Sequence, residues 1–395
     1  MRRRIVGGLV LLGIVVGTGA IVVAHRDEPN PILAVVTLDA PPIDIVVQPG
    51  AARAVITTSV STWTVDTHDG RVLAARTVPS APGGPLLDPC HDYIQTHWSS
   101  LAEASQGNRC ARAVLNAAPT DGTTHRAVLI FNTAAVLLDA RTGIPVAPPV
   151  TVGIYAALAV VDERTHRAFI TVSSNGDRAV CTMDTRTGHL VTCAYLGGFP
   201  GLPVVDPGAN RVFVSNQDDT RTNRVDMLDA TTGRILHSLV LGQGLEAYVG
   251  DSAGVVHPLA VDARTQHAFV VGQQSAPSGD AVGPGRVMML DALHGTRIRT
   301  IDVAQNPRTV ELDARRNRVF VLSIGPVTER TSPTGGYVDV PTGAGTLSVL
   351  DASTGRTIRT ILVGVNPTTP AVDERTGHIL IATIGASIDT VDPDP

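Results

Sequence analysis

The chain repeats itself, and that limits its fold more than any other feature. "LDASTGRTIRTILVG" at Leu350 to Gly364 restates "MLDATTGRILHSLVLG" at Met227 to Gly242. A recurring phrase of this kind is one supersecondary unit, which buries its apolar surface only by stacking on its neighbours. One half of the unit is a strand ending in Asp, a four-residue turn, then Arg or His opening a second strand. It reads "VVDERTHRAFITV" (Val160 to Val172), "VVDPGANRVFVS" (Val204 to Ser215), "AVDARTQHAFVV" (Ala260 to Val271), "ELDARRNRVFVL" (Glu311 to Leu322) and "AVDERTGHILIAT" (Ala371 to Thr383), with a looser copy from Val46. The other half is a strand ending in Asp, three residues, Gly, then a fourth strand. Its pairs are Asp66 with Gly70, Asp139 with Gly143, Asp184 with Gly188, Asp229 with Gly233, Asp291 with Gly295 and Asp351 with Gly355. In such a turn Asp accepts backbone hydrogen bonds and Gly takes a positive φ, so these residues are structural.

Four strands per unit, joined by tight hairpins, predict an all-β fold, a β-propeller with four antiparallel strands per blade. Complete units run from about Ile43 to Gly364, and a last one from Pro367 stops after three strands. Its missing strand is expected from the other end, because "ILAVVTLDAPP" at Ile32 to Pro42 restates "RTILVGVNPTTP" at Arg359 to Pro370. The expected architecture is therefore seven blades over residues 32–395, the last closed by the N-terminal strand, which leaves no unpaired edge.

Residues 1–26 read as a signal anchor or signal peptide. Arg2, Arg3 and Arg4 precede an uncharged apolar run from Ile5 to Ala24. Such a run covers about 30 Å as a helix, enough for a bilayer core, and the arginines hold its start in the cytoplasm. The expected location is the cytoplasmic membrane, bound through residues 5–24, with the propeller on the extracytoplasmic side after a linker at 27–31. Cleavage after Ala24 would instead secrete it, and "VVA" at Val22 to Ala24 fits that alternative. The cysteines suit an oxidising compartment. Cys181 and Cys193 flank a hairpin and are expected to pair, as are Cys90 and Cys110. Cys90, His91, His97 and Cys110 also have metal-ligand chemistry, but their spacing matches no zinc pattern, so no metal is assigned.

The units resemble the YVTN-type seven-bladed propeller repeat family of exported bacterial proteins, with "TIRTILVGVNPTTPAVDERTGHILIAT" the clearest copy. That resemblance implies the fold and hosts binding proteins, cell-surface proteins and some enzymes, including lactonases. "LDARTG" is also similar to quinoprotein propellers, whose repeat places Trp after the Gly. Ile358 and Thr360 stand there here, so no cofactor is expected.

The turns within each half of the repeat share one face, and insertions gather on the other. They span 79–112, 216–224, 242–257, 272–286 and 324–346. Loops on a rigid scaffold are where binding resides, which makes this face the candidate site for a protein, glycan or small-molecule ligand, with Asp218, Asp219, Glu246, Asp251, Glu329, Arg330 and Asp339 its candidate contacts. Insertions without a role are the plainer explanation. Acids outnumber arginines in these loops and the net charge is -5, so nucleic acid is not an expected partner; the chain is expected to be a monomer. All 31 basic residues are Arg, which reads as codon bias rather than a demand for guanidinium. A non-enzymatic binding or scaffold role is the main reading. The alternative is a lactonase-like hydrolase using an acid and base at the channel mouth. Asp44, His257, Arg308 and Glu311 are its candidates, because they break the apolar register of inner strands.

Overall fold

The structure, a computed structural model, describes residues 31–48, 52–58, 61–77, 120–130, 134–140, 144–153, 156–173, 178–220, 222–242, 245–246, 258–275, 281–331 and 337–394. Among them are seven antiparallel sheets with four strand positions each and one separate two-stranded hairpin. Sheet 1 holds Pro42–Gln48, Arg53–Thr58, Ser61–Asp66 and Val72–Thr77, from inner to outer strand. Sheet 2 holds Thr120–Asp121, Arg126–Ile130, Ala134–Asp139 and Val150–Thr151; sheet 3 holds Ala156–Asp162, Arg167–Ser173, Arg178–Asp184 and Leu190–Tyr195. In sheet 4 the inner position is shared by Phe199–Pro200 and Val204–Asp206, followed by Arg211–Gln217, Asn223–Asp229 and Ile235–Gly242. In sheet 5 it is shared by Leu245–Glu246 and Leu259–Asp262, followed by His267–Ser275, Ala281–Asp291 and Arg297–Val303. Sheet 6 holds Pro307–Asp313, Arg318–Ser323, Ala344–Asp351 and Thr357–Val365. Sheet 7 takes Pro367–Val372, Ile379–Thr383 and Ser387–Val391 from the C-terminal end, and its outer strand is Ile32–Thr37, paired antiparallel with Ser387–Val391.

Inner strands of successive sheets lie side by side, from sheet 2 through sheet 7 and from sheet 7 to sheet 1. The core lies between the sheets. Four of the six Phe, Phe169, Phe213, Phe269 and Phe320, occupy one repeat position on the second strand, and each packs on the sheet that follows its own. All four are fully or almost fully buried, which contributes roughly 2–3 kcal/mol apiece. Leu380 and Ile388 of sheet 7 pack on Ile56 and Val65 of sheet 1, so the two ends of the chain share one core.

Local chemistry explains the two turn types. In the Asp-x-x-x-Gly turns, Gly70, Gly188, Gly233, Gly295 and Gly355 have φ between 68° and 76°. The last residue of the inner-to-second turn is also left-handed, at His125, His166, Asn210, Gln266 and Asn317, a conformation that Asn and His tolerate better than most residues. One copy, at Asp121, escapes the repeat alignment because Thr120 stands where the other copies carry Val or Leu before the Asp. Guanidinium groups tie adjacent sheets on this face. Arg164 donates to Asn210, Arg264 to Asn317, and Arg316 to the carbonyls of Glu374 and Arg375 at 2.7 and 3.1 Å. The forked donor thus has structural work that codon bias alone does not explain.

Cys181 and Cys193 are direct cross-strand partners in sheet 3 and form a disulfide. Cys90 and Cys110, with His91 and His97, lie outside the described residues, as does the whole 79–112 insertion. Residues 1–30 also lie outside them; among the described residues no helix is long and apolar enough to cross a membrane.

Candidate functional site

The face carrying the Asp turns spends most of its polar groups on itself, with Asp206 Oδ2 an exception among the described residues. Asp351 Oδ1 accepts the amides of Ser353 and Thr354 at 3.1 and 2.8 Å, while Oδ2 accepts the Asn317 amide group at 2.9 Å. Asp184 accepts the amides of Arg186 and Thr187 at 2.8 and 3.1 Å and the Arg167 guanidinium at 2.5 Å. Asp229 and Asp291 cap their turns in the same way. Burial pulls these four carboxyls up, but hydrogen bonds and neighbouring charge outweigh it and hold them below the ordinary carboxylate value. Asp139 is paired with Arg126 at 2.7 Å; its partner Gly143 lies outside the described residues. The inner-to-second turns bury their Asp as well, Asp121, Asp162, Asp206, Asp262, Asp313 and Asp373. Apart from Asp206 Oδ2, which is buried out of reach of solvent, these acids spend their acceptors on the fold, leaving little with which to hold a ligand.

The opposite face is built differently, with paired strands inside three of the insertions. Insertion 324–346 contains an ordered hairpin, Val327–Thr331 with Tyr337–Pro341, in which Glu329 stands opposite Asp339 and Arg330 opposite Val338. Insertion 272–286 largely continues the second and third strands of sheet 5, with Ser275 paired to Ala281. Insertion 242–257 is not simply a connection between sheets. Glu246 pairs with Gln273 and Leu259 with Val270, so Leu245–Glu246 already belongs to the inner edge of sheet 5 and the remaining residues interrupt that strand. Asp251 and His257 lie in that interruption, outside the described residues.

The hydrolytic candidates are not gathered by what the structure describes. Asp44 is on the inner strand of sheet 1, beside a bulge, and its side chain lies outside the described residues. Arg308 and Glu311 are both half-buried on the inner strand of sheet 6, and both already interact within the protein. Glu311, opposite Phe320, takes the register position that Val160 and Ala260 fill opposite Phe169 and Phe269.

Asp218 and Asp219 are part of a polar cluster between sheets 3 and 4. Asp218 accepts the Thr220 hydroxyl at 2.6 Å, the amides of Thr220 and Thr222 at 2.9 Å each, and Arg224 at 3.2 Å; the Thr220 hydroxyl leads in holding its carboxyl low. Asp219 pairs with Arg178 of sheet 3 at 2.6 Å, and the same guanidinium lies 3.8 Å over the Phe199 ring. On the strand pair that leads into this cluster is Asp226, only 1% exposed, accepting from Asn216 and Ser238. Burial pushes its carboxyl up to about 6, against the opposing pull of Ser238, Arg224, Asn216 and His237. Sequence reasoning passed over Asp226. Its signal was an acid in "NRVDMLD" where "RAVCTMD" has Cys181.

No protein-family model and no curated protein matches the sequence. Among solved structures, the chain is similar to hydrazine synthase of Kuenenia stuttgartiensis, with a TM-score of 0.56 and 11% identity over 93% of this chain and 99% of that one. It is also similar to the WD40 domain of Neurospora crassa Pan2, with a TM-score of 0.52 and 12% identity over 92% and 95%. The fold is a β-propeller. At such identities the likeness shows the propeller alone, since this scaffold hosts unrelated functions.

Proposed function

We propose that the chain is an exported seven-bladed propeller of the YVTN type, held at or released from the cytoplasmic membrane, that binds a protein, glycan or small ligand through its insertion face without catalysis. Seven described sheets whose inner strands follow one another, with the N-terminal strand in sheet 7, favour the blade count. The contrast between the two faces carries the functional reading. One is a set of short turns that satisfy most of their own polar groups, while the other presents the Val327–Pro341 hairpin and the interrupted inner strand of sheet 5.

The test is capture by the full chain of envelope proteins and of arrayed glycans, with crosslinks mapped. Replacing Thr328 to Thr342 with a short Gly-Ser link is expected to lower capture at least tenfold while leaving the melting temperature unchanged. Equal capture by that variant would sink the insertion-face reading. The position of Glu311 favours one competitor, a hydrolase. Glu311→Ala that abolished turnover of a lactone panel without loss of stability would favour that competitor instead.

A further inference from the structure

Asp226 is the third residue before the turn acid Asp229 on the third strand of its sheet. The same position holds Trp63, Val136, Cys181, Met288 and Ser348 in other sheets and a second buried acid, Asp389, in sheet 7. It faces the preceding sheet, because Leu228, which points the same way two residues on, packs on Phe169 and Val180 of sheet 3. Its direct cross-strand partners are Val214 and Ser238.

Among the described residues no cation forms an ion pair with it. Arg224, on the same strand, donates to Asp218. Arg178, from sheet 3, is paired with Asp219, and from the inner strand of sheet 4 Phe199 supplies only its ring to that guanidinium. His237, on the outer strand, has its ring against Gly295 of sheet 5. The charges that act on Asp226 through space are those of Arg224 and His237, and among the described residues neither they nor any other cation forms an ion pair with it. Its two donors are neutral. Among the described residues the buried amide oxygen of Asn216 has no donor, and a proton on Asp226 would supply one if that amide turned over.

We propose that the joint between sheets 3 and 4 is a proton-linked contact, in which Asp226 binds a proton when the sheets pack together and releases it when they part. Acid then tightens, and neutral or alkaline pH loosens, the strand pair that runs into Asp218 and Thr222 on the insertion face. The sign follows from burial, which raises the folded-state value of this acid above its unfolded one. Its stabilising effect is complete below the unfolded value of about 4 and is lost as pH rises toward about 6.

Native-state hydrogen exchange of the full chain from pH 4 to pH 8, with intrinsic exchange rates factored out, tests this. Amides of Arg211–Gln217 and Asn223–Asp229 are expected to open up to about 100-fold more readily at the alkaline end. Asp226→Asn should remove most of that dependence and keep sheet 4 closed at pH 8, while sheet 5, with Met288 at this position, shows no such response in either protein. Ser238→Ala, which removes a donor to the charged form, should move the transition to higher pH. Wild-type exchange in sheet 4 that ignores pH, an Asp226→Asn profile as steep as wild type, or a transition unmoved by Ser238→Ala would each overturn the proposal.

Discussion

The contact between the first and last sheets is the most exacting place to perturb this molecule, because Thr67 and Asp373 meet there across 306 residues of sequence. Thr67 follows the turn acid of sheet 1 and is fully buried; its hydroxyl donates to Oδ2 of Asp373 in the inner-to-second turn of sheet 7. Asp373 Oδ1 accepts the Arg375 amide at 2.9 Å, and His378 Nδ1 donates to the Thr67 carbonyl at 2.9 Å. Thr67→Val keeps the side-chain shape and deletes the donor. A buried charged acceptor left short of its partner costs about 1.5–3 kcal/mol. With a urea dependence of about 3 kcal/mol/M, the midpoint should fall by roughly 0.5–1 M.

Thr185→Val is the matched control. It deletes the donor to Asp121 Oδ2 at 2.7 Å between sheets 2 and 3, but His166 Nδ1 remains there at 2.8 Å, so its loss should be about half as large. Burial raises the Asp373 carboxyl, and Thr67 with the Arg375 and Thr376 amides more than offsets it, leaving the folded value depressed. The contribution of Thr67 is therefore full above an unfolded value of about 4 and fades as pH falls through the folded value. Wild type and Thr67→Val should differ at pH 7 and converge near pH 2. Equal midpoints at pH 7, or a larger loss from Thr185→Val than from Thr67→Val, would refute this reasoning.

Two further substitutions test the turn chemistry. Thr165 and Thr265 donate to the buried acids Asp162 and Asp262 at 2.7 and 2.8 Å, whereas Ala209 occupies that place in the turn after Asp206, whose Oδ2 has no partner among the described residues. Ala209→Thr should supply the donor and raise stability by about 1 kcal/mol in chemical denaturation; a destabilised variant would show that the acid is satisfied some other way. A Cβ at Gly233, where φ is 70°, would meet Thr182 Cβ and Thr192 Cγ2 at 2.8 Å each, while one at Gly197, where φ is 74°, would meet nothing within 4 Å. Gly233→Ala should thus lose clearly more than the roughly 1–2 kcal/mol of left-handed strain expected for Gly197→Ala, and equal thermal shifts would show that sheet 3 yields freely.

What the sequence determined by itself was the local grammar. Asp351 and Gly355 close their turn through Ser353, Thr354 and Arg356, at most five residues from Asp351, so those roles could be read from spacing alone, whereas the Asn317 donor to Asp351 could not. The outer strand Ile32–Thr37 was legible for a related reason, since it repeats a phrase found near the other end of the chain. The Phe positions share that legibility, although which sheet each Phe covers is not written locally.

Tertiary structure alone decided the chemistry between sheets. Asp218 and Asp226 are eight residues apart, yet hydroxyl, amide and guanidinium donors hold one carboxyl low and burial lifts the other. Asp206 and Asp162 end the same repeat phrase, and a single residue in the turn decides whether the acid finds its donor. The insertion at 242–257 was visible as extra length, but only the pairing of Glu246 and Leu259 with one strand showed that it interrupts the inner edge of a sheet. Turn geometry depends on neighbours along the chain. Burial, donor count and proton affinity depend on what the adjacent sheet brings through space, and a repeat specifies that only where the copies agree.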